Sequence, residues 1–415
     1  MATRGAKPKG TGTRRNAPTH PGAEDLYRRL KDKRVCICLG AGGVGKTTTS
    51  AAIGLGLAAR GKKVAVVTID PAARLASALG LERLSGEPSR IDPELLAAQG
   101  VDCGGELWAM MHNSKGTFDG IVARLSKDEA ELEQILANPI YRELSTAVAG
   151  SQELSAMVKL YELCHERDFD TIVLDTPPSR DAVDFLETPG RLLAFLEGRA
   201  LRVFLSPGGL AARVFGRSTG IVFSIFARVT GVDLLGDLST FFRSLSGILD
   251  GFGERTRAVG ELLREDTTSY LIVTSPEPEP AREAPFLAQR LAAKGMRLGG
   301  LIVNRVHFDG LGDSSVEQVS ELLAPELGER LAARVAENLA DFDVLVRRDR
   351  ETIARLSEQL SEPNPILAPH LDEEVRDLTG LARLADCLFD GQDRTKAGVG
   401  KTRRRGSASP AGAIS

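Results

Sequence analysis

Eight consecutive residues, Gly40-Ala41-Gly42-Gly43-Val44-Gly45-Lys46-Thr47, satisfy the spacing GxxxxGK[ST] at every fixed position. The chemistry of that spacing is phosphate binding. Glycines let backbone N–H groups close around phosphate oxygens where a Cβ would block the turn. A helix that starts at the lysine adds the partial positive charge of its N-terminus. Lys46 then reaches the β- and γ-phosphates of a nucleoside triphosphate, and the Thr47 hydroxyl faces Mg²⁺. Such chemistry also needs carboxylates at neighbouring strand ends. Thr171-Ile172-Val173-Leu174-Asp175 is an apolar run closed by an acid, the Walker-B pattern, so Asp175 is expected to hold the metal directly or through water. Asp70 closes a second apolar run in the same way, before Pro71-Ala72. A second GVGKT string, Gly398 to Thr402, has Thr395 where the first glycine belongs and an arginine run behind it; it reads as tail.

These residues must be carried to one edge by regular elements. Arg34 to Leu39 is a short apolar run ending in glycines, as a buried parallel strand requires, and a helix is expected from about Lys46 to Arg60, closed by Gly61. Lys63–Ile69, Thr171–Leu174, Tyr270–Thr274 and Leu298–Val303 read as four further strands with helical stretches between them, and Leu107–Met111 as one more. This alternation implies an α/β fold, a doubly wound and mainly parallel sheet. Residues 115–165 and 187–265 break the alternation, with helical periodicity and no strand signal; together they are expected to form a helical subdomain on the α/β core. Its second part is rich in Phe, Leu and Ile between Leu192 and Ile248, which suits either an internal core, a dimer face or a groove for a hydrophobic client.

Composition narrows the classes. Lys and Arg number 53 against 56 Asp and Glu, a net charge of -3, which argues against a dedicated nucleic-acid binder. The charge imbalance that exists is local: residues 1–28 and 391–415 read as basic, disordered tails that leave peripheral contact with membrane lipid open. No apolar run is long enough to span a bilayer and no hydrophobic segment follows the N-terminal charges, so the expectation is a cytoplasmic protein. The five cysteines show no CxxC pair and no zinc-like spacing with the five histidines. Cys36 and Cys38 should share one strand face as buried, reduced thiols.

Taken in order, Gly42-Gly43-Val44-Gly45-Lys46-Thr47-Thr48, Asp70-Pro71-Ala72 and Asp175-Thr176-Pro177-Pro178 resemble the arsenite-efflux and tail-anchored-protein-targeting ATPases, a deviant-Walker-A branch of the P-loop proteins. The resemblance covers about residues 33–390 and implies a P-loop ATPase domain at 29–390. It further implies that ATP and Mg²⁺ are the cofactors, that nucleotide is held by Gly40, Gly42, Gly43, Val44, Gly45, Lys46, Thr47 and Thr48, and that metal is held by Thr47 and Asp175. Asp70 and Lys46 would be catalytic, Asp70 by orienting the attacking water. Asn304, in Leu301-Ile302-Val303-Asn304-Arg305, would recognise adenine, since an amide offers both a donor and an acceptor. Gly150-Ser151-Gln152-Glu153 is similar to the start of a helix near the client-binding region.

The sequence departs from that pattern in three places. The family's signature lysine, which crosses a dimer interface to the partner's phosphates, would fall at Ala41. Arg74 or Arg180 would have to replace it, or a paralogous partner would supply it. The zinc-binding CxxC that staples the targeting homodimer is absent, and no cysteine lies near Gly150-Ser151 to build the thiolate cluster As(III) prefers. Two classes therefore stand: an ATPase that couples its cycle to dimer rearrangement and a protein client, or a nucleotide-holding subunit of a heteromeric complex with little activity alone. A small-molecule kinase would need a second-substrate motif, and none is visible.

Overall fold

Eight strands, β1 (Val35–Leu39), β2 (Lys63–Thr68), β3 (Ser89–Arg90), β4 (Glu106–Met111), β5 (Thr171–Asp175), β6 (Thr268–Thr274), β7 (Leu298–Val306) and β8 (Ile366–Pro369), form one sheet in the computed structural model of the chain. The structure describes residues 23–70, 74–126, 128–138, 141, 152–178, 187, 190, 194, 251, 253–308, 311, 314–371 and 375–390. The order across the sheet is β3-β4-β2-β5-β1-β6-β7-β8. Every pairing is parallel except β3 with β4. β1 lies near the middle because it is apolar at all five positions and is buried throughout. A parallel sheet covered by helices on both faces demands that kind of strand.

Among the described residues, the helices in chain order are α1 (Ala23–Leu30), α2 (Lys46–Ala58), α3 (Arg74–Ala78), α4 (Pro93–Ala98), α5 (Ser114–Leu125), α6 (Glu129–Ala137), α7 (Gln152–His165), α8 (Pro278–Ala293), α9 (Val316–Leu327), α10 (Glu329–Leu360) and α11 (Leu378–Asp390). They sort to two sides by the period-2 alternation of the strands. Cys36 and Cys38 face a core shared with Leu26 and Leu30 of α1, Ile53 and Leu57 of α2, and Leu388 and Phe389 of α11. Val35, Ile37 and Leu39 face the other, built with Met157 and Leu160 of α7, Leu287 and Leu291 of α8, and Leu356 of α10. Both Cys36 and Cys38 are buried free thiols on one strand face, as the alternation predicts.

The expected doubly wound sheet is present, with strand ends within a few residues of those read from the sequence. Two strands were not foreseen: β3, only two residues long and antiparallel, and β8, whose Ile366-Leu367-Ala368-Pro369 is too short for its apolar run to stand out. The tail boundary at residue 28 falls inside α1. That helix buries Leu26 and Leu30, and Arg29 pins it with two bonds to Glu362 at 3.0 and 3.1 Å. Of the segments assigned to a helical subdomain, 115–165 contributes α5, α6 and α7. The apolar stretch read as a groove or core lies almost wholly outside the described residues, as do residues 1–22 and 391–415 of the two tails. Among the described residues, no helix is long and apolar enough to cross a membrane.

α2 must lie close to the sheet and to α11 for the loop before it to be held, and Gly56 measures how close. A Cβ on Gly56 would sit 2.3 and 2.4 Å from two carbons of the Phe389 ring. In an isolated helix Gly→Ala is favourable by about 1 kcal/mol. Here Gly56→Ala is expected to lower the urea midpoint, because the ring has no room to retreat in a packed interior. A raised midpoint would mean that the α2–α11 contact is looser than described.

Candidate functional site

The loop between β1 and α2 carries the residues expected to bind phosphate, and its glycines are not equivalent. Gly43 and Gly45 have φ of 79° and 89°, the left-handed region that side chains resist. Gly45 is also crowded, since a Cβ there would meet the Asn304 amide nitrogen at 2.4 Å. Gly40 lies below the loop, where a Cβ would be 2.0 Å from the Val273 carbonyl oxygen of β6. Gly45 caps α2 without any side-chain bond to the helix, so the first N–H groups are not taken up by a capping side chain. Lys46 is buried, and its Nζ donates to the Gly40 and Ala41 carbonyls at 3.0 and 2.8 Å. Burial holds this ammonium below the usual lysine value; the charges of Asp175 and Asp70 oppose that shift, and Arg74 adds to it.

Beneath the loop, Asp175 at the end of β5 is fully buried. One carboxylate oxygen, Oδ2, accepts from the Thr47 hydroxyl at 2.7 Å and from the Thr68 hydroxyl at 2.8 Å. The other, Oδ1, is buried without a hydrogen-bond partner. Burial raises the Asp175 pKa from 3.8 to about 6, against the lowering effects of the two threonines and Lys46, while Asp70 raises it further. An orphaned, buried carboxylate oxygen beside a threonine hydroxyl fits a hard divalent cation, which takes oxygen ligands and restores what burial removed. Next along the chain, Thr176 turns its hydroxyl back to the Cys38 carbonyl at 2.7 Å, tying the segment after β5 to β1.

A cleft of about 1060 Å³ opens above these groups. Gly42, Gly43, Gly45, Lys46, Thr47, Thr48, Asp70 and Asn304 all line it, and so does Arg74 at the start of α3. The sheet therefore brings together the nucleotide-site residues expected from three separate motifs. Gly40, Val44 and Asp175 lie beneath its surface rather than on it. Asn304 is held by its own amide, whose Nδ2 donates to the Val44 carbonyl at 2.9 Å. A carbonyl can only accept, so this bond fixes which end of the amide is the nitrogen. Oδ1 has no hydrogen bond among the described residues. Arg180 and Gly150-Ser151 lie outside the described residues; α7 starts at Gln152.

Sequence reading missed the far wall of the cleft: Pro276 and Glu277 after β6, His307 after β7, Arg348 on α10, and Pro369, His370 and Leu371 at β8. His307 and His370 are 63 positions apart in a chain whose histidines show no spacing pattern, so only the β7–β8 pairing reveals that they meet.

The described chain matches the family profile for anion-transporting ATPases over residues 33–344. It is 25% identical over 372 residues to the putative arsenical pump-driving ATPase 1 of Aquifex aeolicus, covering 88% of this chain and 80% of that protein. It is 23% identical over 340 residues to the ATPase get3 of Neurospora crassa (78% and 89% of the two chains) and 24% identical over 363 residues to an ATPase ASNA1 homolog of Babesia bovis (84% and 89%).

Because the Asp175 pKa is raised on folding, its ionisation opposes the fold. That penalty is absent below about pH 4 and grows as pH rises through about 6. Asp175→Asn, without nucleotide or divalent cation, is therefore expected to be more stable than the parent at pH 8, by up to about 3 kcal/mol. The gain should vanish near pH 4. Parallel stability–pH curves for the two proteins, measured by denaturant unfolding, would contradict this assignment.

Proposed function

The chain belongs to the anion-transporting ATPase family and is an ATPase; from that premise we propose how its residues divide the work and what hydrolysis drives. The observation that carries the reading is the unpartnered Asp175 oxygen beside Thr47, directly under the phosphate-binding loop. Thr47 and Asp175 hold Mg²⁺. When bound, the ion neutralises charge on the β- and γ-phosphates. Lys46 gives up the Gly40 and Ala41 carbonyls for phosphate oxygens, which are stronger acceptors for a cation. The amides of Gly42, Gly43, Val44 and Gly45, with Thr48 behind them, cradle the phosphates. Asp70, half-buried at the cleft wall, orients a water for in-line attack on the γ-phosphorus; the bond to the bridging oxygen breaks, leaving ADP and phosphate.

Asn304 reads adenine through its free Oδ1. With one Nδ2 hydrogen given to Val44 and the amide orientation thereby set, Oδ1 is left as an acceptor, which suits the exocyclic amine of adenine and opposes the carbonyl of guanine. Asp70→Asn is expected to bind ATP with near-parental affinity and to lose turnover by roughly 10²-fold or more, because only water positioning is removed. Equal turnover would sink the role given to Asp70.

The hydrolysis drives a dimer whose two protomers rearrange around the nucleotide and whose helical region handles a hydrophobic protein client. Resemblance to targeting ATPases supports this, as do relatives named get3 and ASNA1. Ala41 sets the condition. Its side chain is buried in the core beside Val44 and cannot reach across any interface. Arg74 is the described cation best placed to act instead, lining the cleft with Asp70 and close enough to depress Lys46. A second reading rests on the same residue: the chain is the nucleotide-holding half of a heterodimer, and a paralogue supplies the lysine.

Hydrolysis measured over a wide range of protein concentration, with mass determined at each point, separates these readings. On the first, turnover per chain rises with dimer and Arg74→Ala lowers it by about 10³-fold or more, the scale of a catalytic arginine. On the second, ATP binds tightly and turnover stays negligible until the paralogue is added. Turnover by monomer that ignores Arg74→Ala would overturn both.

A further inference from the structure

The half of the cleft away from the phosphates has a built wall whose chemistry the catalytic residues do not use. Thr47, Asp70 and Asp175 come from α2, the segment after β2, and β5, so on the proposed reading the metal and the γ-phosphate would lie over β1 and the strands on one side of it. Pro276, Glu277, Asn304, Arg305, His307 and His370, also in the lining, come from the other side, on or after β6, β7 and β8. At strand spacings of about 4.8 Å, β7 and β8 are roughly 10 and 14 Å from β1, the direction in which the nucleoside must extend. Each of these two strands delivers one histidine to the edge. Val306 pairs with Pro369, the His370 N–H donates to the Val306 carbonyl at 2.8 Å, and the two imidazoles stack at 5.1 Å with planes 14° apart.

His307 is held in place from below. Asp349 of α10 is fully buried, and its Oδ2 accepts from both the backbone N–H of His307 at 3.1 Å and the ring Nδ1 at 2.7 Å. Its Oδ1 is occupied by the Arg348 guanidinium at 3.0 Å, so that cation is directed at the carboxylate. Phe342 packs edge-to-face with the His307 ring, centroids 5.3 Å apart and planes at 80°. A carboxylate that accepts from Nδ1 leaves Nε2 of the neutral ring as an acceptor, and Nε2 has no hydrogen bond among the described residues.

We propose that His307, fixed by Asp349 and stacked on His370, selects the nucleobase. Its Nε2 and the Asn304 Oδ1 are two acceptors on the wall that faces the base. Adenine carries an exocyclic amine with two hydrogens to give; guanine presents a carbonyl at the same position, which two acceptors repel. The flat stacked pair adds a platform for a purine ring. His307 contacts the base and takes no part in hydrolysis, whereas Asp349 is a positioning residue. This deepens the ATPase reading and rests on it.

The test is calorimetric titration of the full chain with ATP, GTP and inorganic triphosphate, each with Mg²⁺ at pH 8. His307→Phe keeps a flat ring against His370 and removes the acceptor. ATP affinity is expected to fall roughly three- to tenfold, the scale of one hydrogen bond, while triphosphate affinity stays at the parental value and the preference for ATP over GTP shrinks by the same factor. Asp349→Asn should shift the preference in the same direction with the stack retained. An unchanged ATP-to-GTP ratio in His307→Phe overturns the proposal, and so does an equal loss for ATP and triphosphate, which would mean damage to the loop. A parent chain that binds neither ATP nor triphosphate would instead overturn the nucleotide site itself.

Discussion

Everything at the carboxyl edge of the sheet depends on the Asp175 carboxylate being held under the loop between β1 and α2. A single oxygen of that group accepts from Thr47 in the first turn of α2 and from Thr68 at the end of β2, while its own backbone belongs to β5. Three elements distant in sequence are thereby fixed to within a hydrogen bond of one point. The burial that makes this junction rigid also makes the charge unfavourable, as the raised pKa records. The strand order turns the junction into a site: β5 and β2 lie to one side of β1 and β6, β7 and β8 to the other, so a ligand seated on the loop is touched from both directions.

That division also explains what was legible in the sequence. Motifs with a fixed local geometry could be read directly: GxxxxGKT implies its own strand, turn and helix, and TIVLD implies a strand ending in an acid. Cys36 and Cys38 fall on one face because a strand has a period of 2. Asn304 was readable through resemblance, but its bond to Val44 was not, since nothing local in LIVNR indicates that its amide crosses 260 positions to brace the loop. The His307–His370–Asp349 cluster was illegible for the same reason. It exists only because β7 and β8 pair, and β8 is four residues long and ends in proline.

α1 failed to announce itself for a different physical reason. AEDLYRRL holds four charged residues in eight, which resembles the charged tail before it more than a core helix. It is ordered by three anchors on one face, Leu26, Leu30 and the Arg29–Glu362 pair. Composition averages over faces, and a short amphipathic helix at the end of a charged tail is what averaging hides. Burial of Ala41 is a related case. As a departure from a motif it reads as a missing cation, but in three dimensions the residue is buried in the same apolar cluster as Val44 and its carbonyl holds Lys46. The position has been turned to internal support of the loop, and a charged side chain there would need a different loop conformation to escape the core.

The electrostatics of the loop are unfinished in the protein alone. Lys46 is a cation pressed below its normal value by burial, and Asp175 is an anion pushed above its own, with Oδ1 unpartnered. The two charges offset one another only in part, because each keeps its main hydrogen bonds elsewhere: Lys46 on backbone carbonyls, Asp175 on hydroxyls. On the proposed reading, a polyphosphate and a divalent cation supply both missing partners at once, phosphate oxygens for the ammonium and a metal for the carboxylate. Either partner alone would correct one imbalance and deepen the other, since bare triphosphate brings more negative charge towards Asp175 and a bare cation more positive charge towards Lys46. The loop is thus set to favour the metal–nucleotide complex over its parts, and the binding free energy adds to the stability of the fold that holds it.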